Sequence, residues 1–124
     1  MSQQSTRLIK LHANMPGSPS GDQPKPERQM RGQPLRQTWN CVNETMPAGR
    51  CYSGVWQSEV GQWRIVMGAT ERELFAVISG RCRVHDAQGG FEEAGPGEGI
   101  YIPPGFEGSF EVLEPLVKTY MICE

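Results

Sequence analysis

The sequence lacks the long apolar runs that mark membrane spans and secretory signals. No stretch of its 124 residues approaches the roughly 18 consecutive apolar residues of a spanning helix. The first residues, MSQQSTRLIKLHAN, contain no apolar core of the kind found in a secretory signal. We therefore expect a cytoplasmic protein with no membrane partner.

Basic residues and closely spaced cysteines are also scarce. Twelve Lys and Arg against fourteen Asp and Glu leave a net charge of −2, without the basic excess that binding to a phosphate backbone requires. Nucleic acid is therefore not expected as a partner. The four cysteines form no CxxC pair, the usual spacing of zinc and redox sites, so we expect reduced, mostly buried thiols at Cys41, Cys51, Cys82 and Cys123.

Aromatic residues are absent from residues 1–38, which contain five Pro, six Gln and a charge excess of +4. Such a segment cannot build a core, so we predict an extended polar arm over 1–38 and a folded domain over 39–124. The domain carries all ten aromatic residues and an excess of −6. Opposite charge favours docking of the arm on its own domain or on a neighbouring subunit. We predict a homodimer in which the arm crosses to the partner.

The sequence of the domain, residues 39–124, predicts a series of short strands. Fifteen Gly and ten Pro in the whole chain argue against long helices. Short apolar or alternating runs recur between Gly, Pro and Asp residues, among them YSGVWQSE, QWRIVMG, ELFAVISG, GIYIPP and LVKTYMIC. Regularly spaced strands of this kind predict an all-β sandwich or barrel.

Two motifs in this series resemble those of the cupins. Glu73, the six residues LFAVIS and Gly80 resemble the end of the first cupin motif, and Gly97, EGIYI and PPG at 103–105 resemble the start of the second. The resemblance implies a double-stranded β-helix of the jelly-roll (RmlC-like) type with a small-molecule cavity inside the barrel. It also implies a dimer, because small cupins of this kind usually pair through their open strand edges.

Four further segments narrow the resemblance. The runs GVWQSEVGQWRI, EREL, IPPGFEGSFEV and EPLVKTYMI resemble small single-domain cupins related to (S)-ureidoglycine aminohydrolase, a group largely of unknown function.

The sequence departs from metal-binding cupins at three of the four ligand positions. Such cupins place two His before the Glu and a third after the PxG glycine, where this chain has Val66, Gly68 and Gly108. A shift of one residue offers Met67 and Ala69 in place of the first two. A lone carboxylate cannot hold a transition metal tightly. We therefore expect no metal and no other cofactor.

Glu73 is the candidate catalytic residue. Residues 73, 75 and 77 share one strand face, which the motif assigns to the barrel interior. Arg64 has the strand parity of positions 66 and 68 and is the predicted partner of Glu73. Three alternatives stay open: a structural Glu–Arg pair, a carboxylate that contacts a ligand or catalyses a reaction, and an exposed carboxylate.

Aromatic and polar residues are predicted to wall the cavity around Glu73. Phe110 has the parity of the missing His position 108, and Phe75 faces it from the neighbouring strand. Lys118 and Tyr120 share a face of the last strand and would offer a cation and a phenol to a ligand. The predicted ligand-binding residues are Trp56, Arg64, Phe75, Phe110, Lys118 and Tyr120.

Two classes of function fit these observations. One is a cupin without a metal that binds a small polar metabolite in the barrel. The other is a hydrolase or isomerase, similar to ureidoglycine aminohydrolase, whose chemistry uses Glu73. An assembly or regulatory module is a third possibility, because a fold alone does not determine function.

Overall fold

The computed structural model describes residues 6–124, which form an all-β barrel with one short 3-10 turn at Pro26–Arg28. The predicted jelly-roll class is confirmed. No helix in this range is long and apolar enough to cross a membrane. The strands, numbered in chain order, are β1 Ser20–Asp22, β2 Gln29–Arg31, β3 Arg36–Met46, β4 Gly49–Ser58, β5 Gly61–Val66, β6 Arg72–Asp86, β7 Phe91–Ala94, β8 Gly99–Ile102 and β9 Glu107–Cys123.

The two longest strands, β6 and β9, pair with each other along nearly their whole lengths. The other edge of β9 pairs with β5 through its first half and with β4 through its second half. The other edge of β6 pairs with β8 and then β7. Both long strands therefore belong to both halves of a curled antiparallel sheet, and the barrel interior lies between those halves.

A bulge opposite Pro115 allows β6 to bend between the two halves. The β6–β9 register shifts on both sides of Gly80, whose φ of +86° belongs to the left-handed region that glycine tolerates best. A Cβ at this position would also clash with the Pro115 carbonyl. The bulge changes which residues face inward, from Phe75 and Val77 before it to Cys82 and Val84 after it.

The described part of the arm packs on its own domain. Strand β1 pairs with β3, and β2 pairs with β5. Pro34 is fully buried, and the indole N–H of Trp39 donates to the Gly17 carbonyl at 3.1 Å. Because β3 begins at Arg36, one strand continues through the predicted division at residue 38. Crossing of the arm to a partner stays a prediction.

A polar cluster ties the arm to β9. The Glu111 carboxylate accepts from the Arg31 guanidinium at 2.9 Å and meets the His85 ring nitrogen at 2.8 Å. Glu111 is only 8% exposed. Burial alone would raise the pKa of Glu111, but the hydrogen bonds and charges of His85 and Arg31 outweigh it and lower that pKa. The charged carboxylate is therefore stabilised by folding.

We predict that the stabilising effect of Glu111 depends on pH. A carboxyl with a lowered pKa in the folded state stabilises the protein above its unfolded pKa of about 4.3, and the effect is lost as pH falls through the folded value. Glu111→Gln should therefore cost about 1.5 to 3 kcal/mol at neutral pH, and the difference from wild type should shrink below about pH 4. Urea unfolding across this pH range measures both. Glu114→Gln, at an exposed position of the same strand, is the control, and a constant Glu111→Gln cost down to pH 3 would contradict the prediction.

Candidate functional site

The barrel interior holds a cavity of about 410 Å³. Strands β3, β4, β5, β6, β8 and β9 all contribute to its wall, and most of the lining side chains are apolar or aromatic. The lining residues are Arg36, Thr38, Asn40, Tyr52, Trp56, Trp63, Ile65, Met67, Glu73, Ile102, Phe110, Lys118, Tyr120 and Ile122.

An ion pair between Lys118 and Glu73 lies in this wall. The Lys118 Nζ and a Glu73 carboxylate oxygen are 2.7 Å apart, and the two side chains are 6% and 14% exposed. The ammonium group also lies 4.3 to 4.9 Å from the ring centroids of Phe75, Trp56 and Phe110. These aromatic faces stabilise the buried cation in addition to the carboxylate.

Strand pairing explains why these side chains meet. Residues 118, 120 and 122 of β9 alternate on the inner face, and Lys118 is directly opposite Trp56 on β4. On the other side of β9, Phe75 is opposite Tyr120 and Glu73 is opposite Ile122. Lys118 itself is opposite Val77, four residues along β6 from Glu73 on the same inner face. The two long side chains therefore extend towards each other along the wall to make the 2.7 Å contact.

Tyr120 adds a protonated phenol to the same wall. Its hydroxyl donates to the Asn40 side-chain carbonyl at 2.8 Å. The pKa of Tyr120 is raised to about 12, chiefly because burial disfavours the phenolate, and the nearby Cys41 and Glu73 add to the shift. The phenol therefore stays neutral and available for hydrogen bonding at physiological pH.

Strand β3 supplies lining residues that the sequence analysis missed. Arg36 makes a two-point ion pair with Asp22, at 2.9 and 2.7 Å, and its guanidinium lies 5.0 Å from the Trp63 ring centroid. Thr38 and Asn40 follow on the same face. The alternation of polar residues at 36, 38 and 40 could have revealed this face, but the charge pattern assigned the first two to the arm.

The structure brings most of the predicted site residues together. Glu73, Trp56, Phe110, Lys118 and Tyr120 all line the cavity. Their role in ligand binding stays a prediction.

Phe75 faces inward as expected but lies deeper than expected. This residue is 1% exposed and does not line the cavity. Its ring packs behind Lys118, 4.3 Å from the ammonium nitrogen, and 5.7 Å from the Phe110 ring. Phe75 therefore supports the cavity wall without forming its surface.

The prediction that Arg64 faces the interior is wrong. Arg64 is exposed and does not line the cavity, whereas Trp63 and Ile65 beside it do. Between β5 and β6, residues 67–71 form an irregular connection, so strand parity counted back from Glu73 does not carry across it. Lys118 occupies the role that had been assigned to Arg64, as the cation paired with Glu73.

The residues at the motif positions do not fit a transition metal. Val66 is 42% exposed and Gly68 is exposed, so neither faces the cavity as expected, while Met67 does. A Cβ at Gly108 would clash with the His85 carbonyl. Within residues 6–124, no group of three or more His, Cys, Asp and Glu could hold a metal ion. Glu73, the single motif ligand present, is paired with Lys118.

Several solved structures are similar to this chain at low sequence identity. A DUF861-family protein of unknown function from Pseudomonas syringae matches with a TM-score of 0.76 and 20% identity, covering 90% of this chain and 46% of that one. The Clostridium difficile EutQ protein matches with a TM-score of 0.62 and 19% identity, covering 72% and 62%. A putative ethanolamine utilization protein Q from Salmonella typhimurium matches with 0.61 and 16%, covering 84% and 94%.

These likenesses show the fold alone, and the chain spans less than two thirds of the length of the first two. No curated protein matches the sequence significantly. Residues 45–120, however, match the family described as the EutQ-like cupin domain. This match covers more than half of the chain and contains most of the cavity wall, so the protein belongs to the EutQ-like cupin domain family.

Proposed function

We propose that this cupin binds a small polar metabolite in the barrel cavity without a metal ion. The observation that carries the proposal is the Lys118–Glu73 pair, which forms part of the wall of a cavity of about 410 Å³. Cavities of this size, largely apolar with a few convergent polar groups, are typical of sites for small molecules.

The charges around the cavity favour a neutral or zwitterionic ligand. Lys118 is balanced by Glu73, and Arg36 is balanced by Asp22. A ligand with a strong net charge would have to break one of these pairs. A ligand with a hydrogen-bond donor beside an acceptor can instead bind the carboxylate and the ammonium together. Amides, ureides and amino acids have this pattern.

The aromatic walls suit the remainder of such a ligand. Trp63 and Phe110 stack with their ring centroids 5.4 Å apart, and Trp56 meets Phe110 at 74°. This cluster is held by packing within the core, so its surface is preformed. A preformed wall lowers the entropy cost of binding.

Loss of the metal site that metal-binding cupins have is part of the proposal. Its support is the donor chemistry: Ile65 and Met67 face the cavity from β5 and the following connection, and neither carries an imidazole. Neither side chain is a ligand for a hard or borderline cation such as Mn²⁺ or Zn²⁺. An ammonium group already neutralises the remaining carboxylate.

The alternative function is a hydrolase or isomerase of the ureidoglycine aminohydrolase type that uses Glu73. The observation in its favour is that Glu73, Lys118 and the phenol of Tyr120 share one cavity wall, which could move protons to and from a substrate. The 2.7 Å contact with Lys118 argues against it, because the ammonium group already occupies a carboxylate oxygen that a general base would use. Binding without turnover is therefore the preferred function.

We also propose that the protein is a cytoplasmic homodimer. Its four cysteines are free thiols, which fits a reducing compartment. Leu74 has Tyr101 on one side and Met121 on the other as cross-strand partners, and all three are about half exposed. The arm adds the exposed Leu8 and Ile9. A second copy supplies both an apolar face and the apolar Leu8 and Ile9 of its arm to cover these surfaces.

The binding proposal predicts that a panel of amides, ureides and α-amino acids contains at least one ligand for the metal-free protein. Trp56 and Trp63 line the cavity, so binding should change tryptophan fluorescence, and calorimetry gives the affinity. Binding should persist in excess chelator. Glu73→Gln should weaken it by about 1 to 3 kcal/mol, because a charge-assisted hydrogen bond is lost.

The control for this experiment is Arg64→Gln, at an exposed position outside the cavity, which should leave the affinity unchanged. Retention of about one transition metal per chain, removable by chelator together with binding, would contradict the proposal. Turnover of a bound ureide that Glu73→Gln abolishes would support the hydrolase instead.

The Lys118–Glu73 ion pair also predicts how single and double variants change the free energy of unfolding. Glu73→Gln alone leaves the Lys118 ammonium buried without a counter-charge and should destabilise the fold by roughly 3 kcal/mol. Adding Lys118→Met should recover most of that loss, since the aromatic rings pack well against a thioether. Asp22→Asn removes a carboxylate that is itself 63% exposed, and it should cost less than about 1 kcal/mol. Equal losses for the single and double variants in urea unfolding would refute this description of the pair.

The dimer proposal predicts that a charge on the outer face shifts the mass in solution. Leu74→Glu should shift the protein toward monomer in sedimentation experiments, because a carboxylate would be buried in the interface. Met46→Glu alters a similarly exposed apolar residue away from this face and should leave the mass unchanged. A wild-type protein that stays monomeric at about 100 μM, where weak interfaces of roughly 10 μM affinity already form, would rule the proposal out.

A further inference from the structure

Two cysteines that are distant in the sequence meet where β4 and β9 pair. Cys51 lies near the start of β4, and Cys123 is the last residue of β9. They are direct cross-strand partners, and their sulfur atoms are 2.8 Å apart. Both are free thiols. The other two cysteines lie elsewhere in the described chain: Cys41 donates to the Trp39 carbonyl at 3.3 Å, and Cys82 is fully buried in the core.

The backbone at this point has the geometry that a disulfide requires. Arg50 and Glu124 exchange both of their backbone hydrogen bonds, at 2.8 and 2.9 Å. In an antiparallel ladder the next pair is then a non-hydrogen-bonded pair, whose Cα atoms are about 4.5 Å apart. This separation falls within the range of about 4.4 to 6.8 Å observed for disulfides. Oxidation therefore needs little movement of the strands.

The two thiols differ in access. Cys51 is 3% exposed, whereas Cys123 is partly exposed. The pKa of the Cys51 thiol is raised to about 11, first by its hydrogen bond with Cys123 and then by burial. Cys123 is therefore the thiol that an oxidant in solution reaches, and Cys51 is placed to resolve the product.

We propose that Cys51 and Cys123 form a reversible thiol–disulfide site that a hydroperoxide oxidises. The Cys123 sulfur attacks a peroxide oxygen, the O–O bond breaks, and the leaving oxygen departs as an alcohol or water with the thiol proton. The Cys51 sulfur then attacks the sulfur of the Cys123 sulfenic acid, which forms the S–S bond. The sulfenic hydroxyl leaves as water with the Cys51 proton. Two electrons pass from the thiols to the peroxide, and an external dithiol reverses the reaction by exchange.

The site adjoins the cavity on the opposite face of the same strands. Tyr52 and Ile122, the neighbours of the two cysteines, line the cavity. The Tyr52 hydroxyl also donates to the Glu124 carboxylate at 2.8 Å. A disulfide would fix the end of β9 against β4 beside this wall, and it would close a long chain segment that is otherwise free in the unfolded state.

The experiment treats the reduced full-length protein with a small molar excess of hydrogen peroxide. The expected product is an intramolecular disulfide: a mass loss of about 2 Da, two alkylatable thiols instead of four, and a linked peptide joining Cys51 and Cys123. Dithiothreitol should reverse all three changes. The oxidised protein should melt at least about 5 °C higher, as expected for a long loop closed without strain.

Cys41→Ser is the matched control and should form the same link, whereas Cys123→Ser and Cys51→Ser should not. A melting curve recorded before treatment shows whether each variant is folded. If a variant is unfolded, the peptide map of the oxidised wild-type protein still tests the proposal. Three results would overturn it: Cys123 oxidised to the sulfinic acid with Cys51 still reduced, a link that uses Cys41 or Cys82, or four alkylatable thiols after treatment.

Discussion

The pairing of β6 with β9 is the constraint on which the barrel depends. Each strand contributes to both halves of the sheet, so each must bend in the middle. The bend is made where Gly80 meets Pro115: glycine supplies the left-handed backbone and the open space, and proline removes one hydrogen-bond donor from the ladder. The half of the barrel formed by the first part of β6 and the last part of β9 carries Glu73, Lys118 and Tyr120 of the cavity wall. The other half carries apolar core residues such as Val84 and Val112.

The Lys118–Glu73 pair places two charges in a largely apolar interior, where desolvation opposes them. Three aromatic rings around the ammonium and the 2.7 Å contact between the partners offset that cost. In a metal-binding cupin the carboxylate at this motif position would neutralise a cation held by imidazoles. Here the cation beside the carboxylate is part of the chain, so the pair is neutral overall and its ammonium group is a hydrogen-bond donor.

Much of the fold could be predicted from local patterns. Period-2 alternation and frequent turns indicated the strands, and the inward faces of Phe75, Phe110 and Tyr120 followed from parity within single strands. The prediction for Arg64 was wrong because strand parity was counted back from Glu73 through residues 67–71, which are not part of a strand. The Lys118 partnership was missed because Lys118 and Glu73 are 45 residues apart on different strands. Alternation along one strand predicts which face a residue occupies, but it does not predict which residue of a distant strand lies beside it.

Strand β3 belongs at once to the cavity and to the arm. Its residues 36–38 pair with β1, the Trp39 indole holds the arm at Gly17, and Arg36, Thr38 and Asn40 face the cavity. An occupant of the cavity that orders β3 would thereby also order the arm, and release of the arm would weaken the affinity for that occupant by the same factor. Hydrogen exchange at β1, on the outside of the molecule, would then show whether the cavity is occupied.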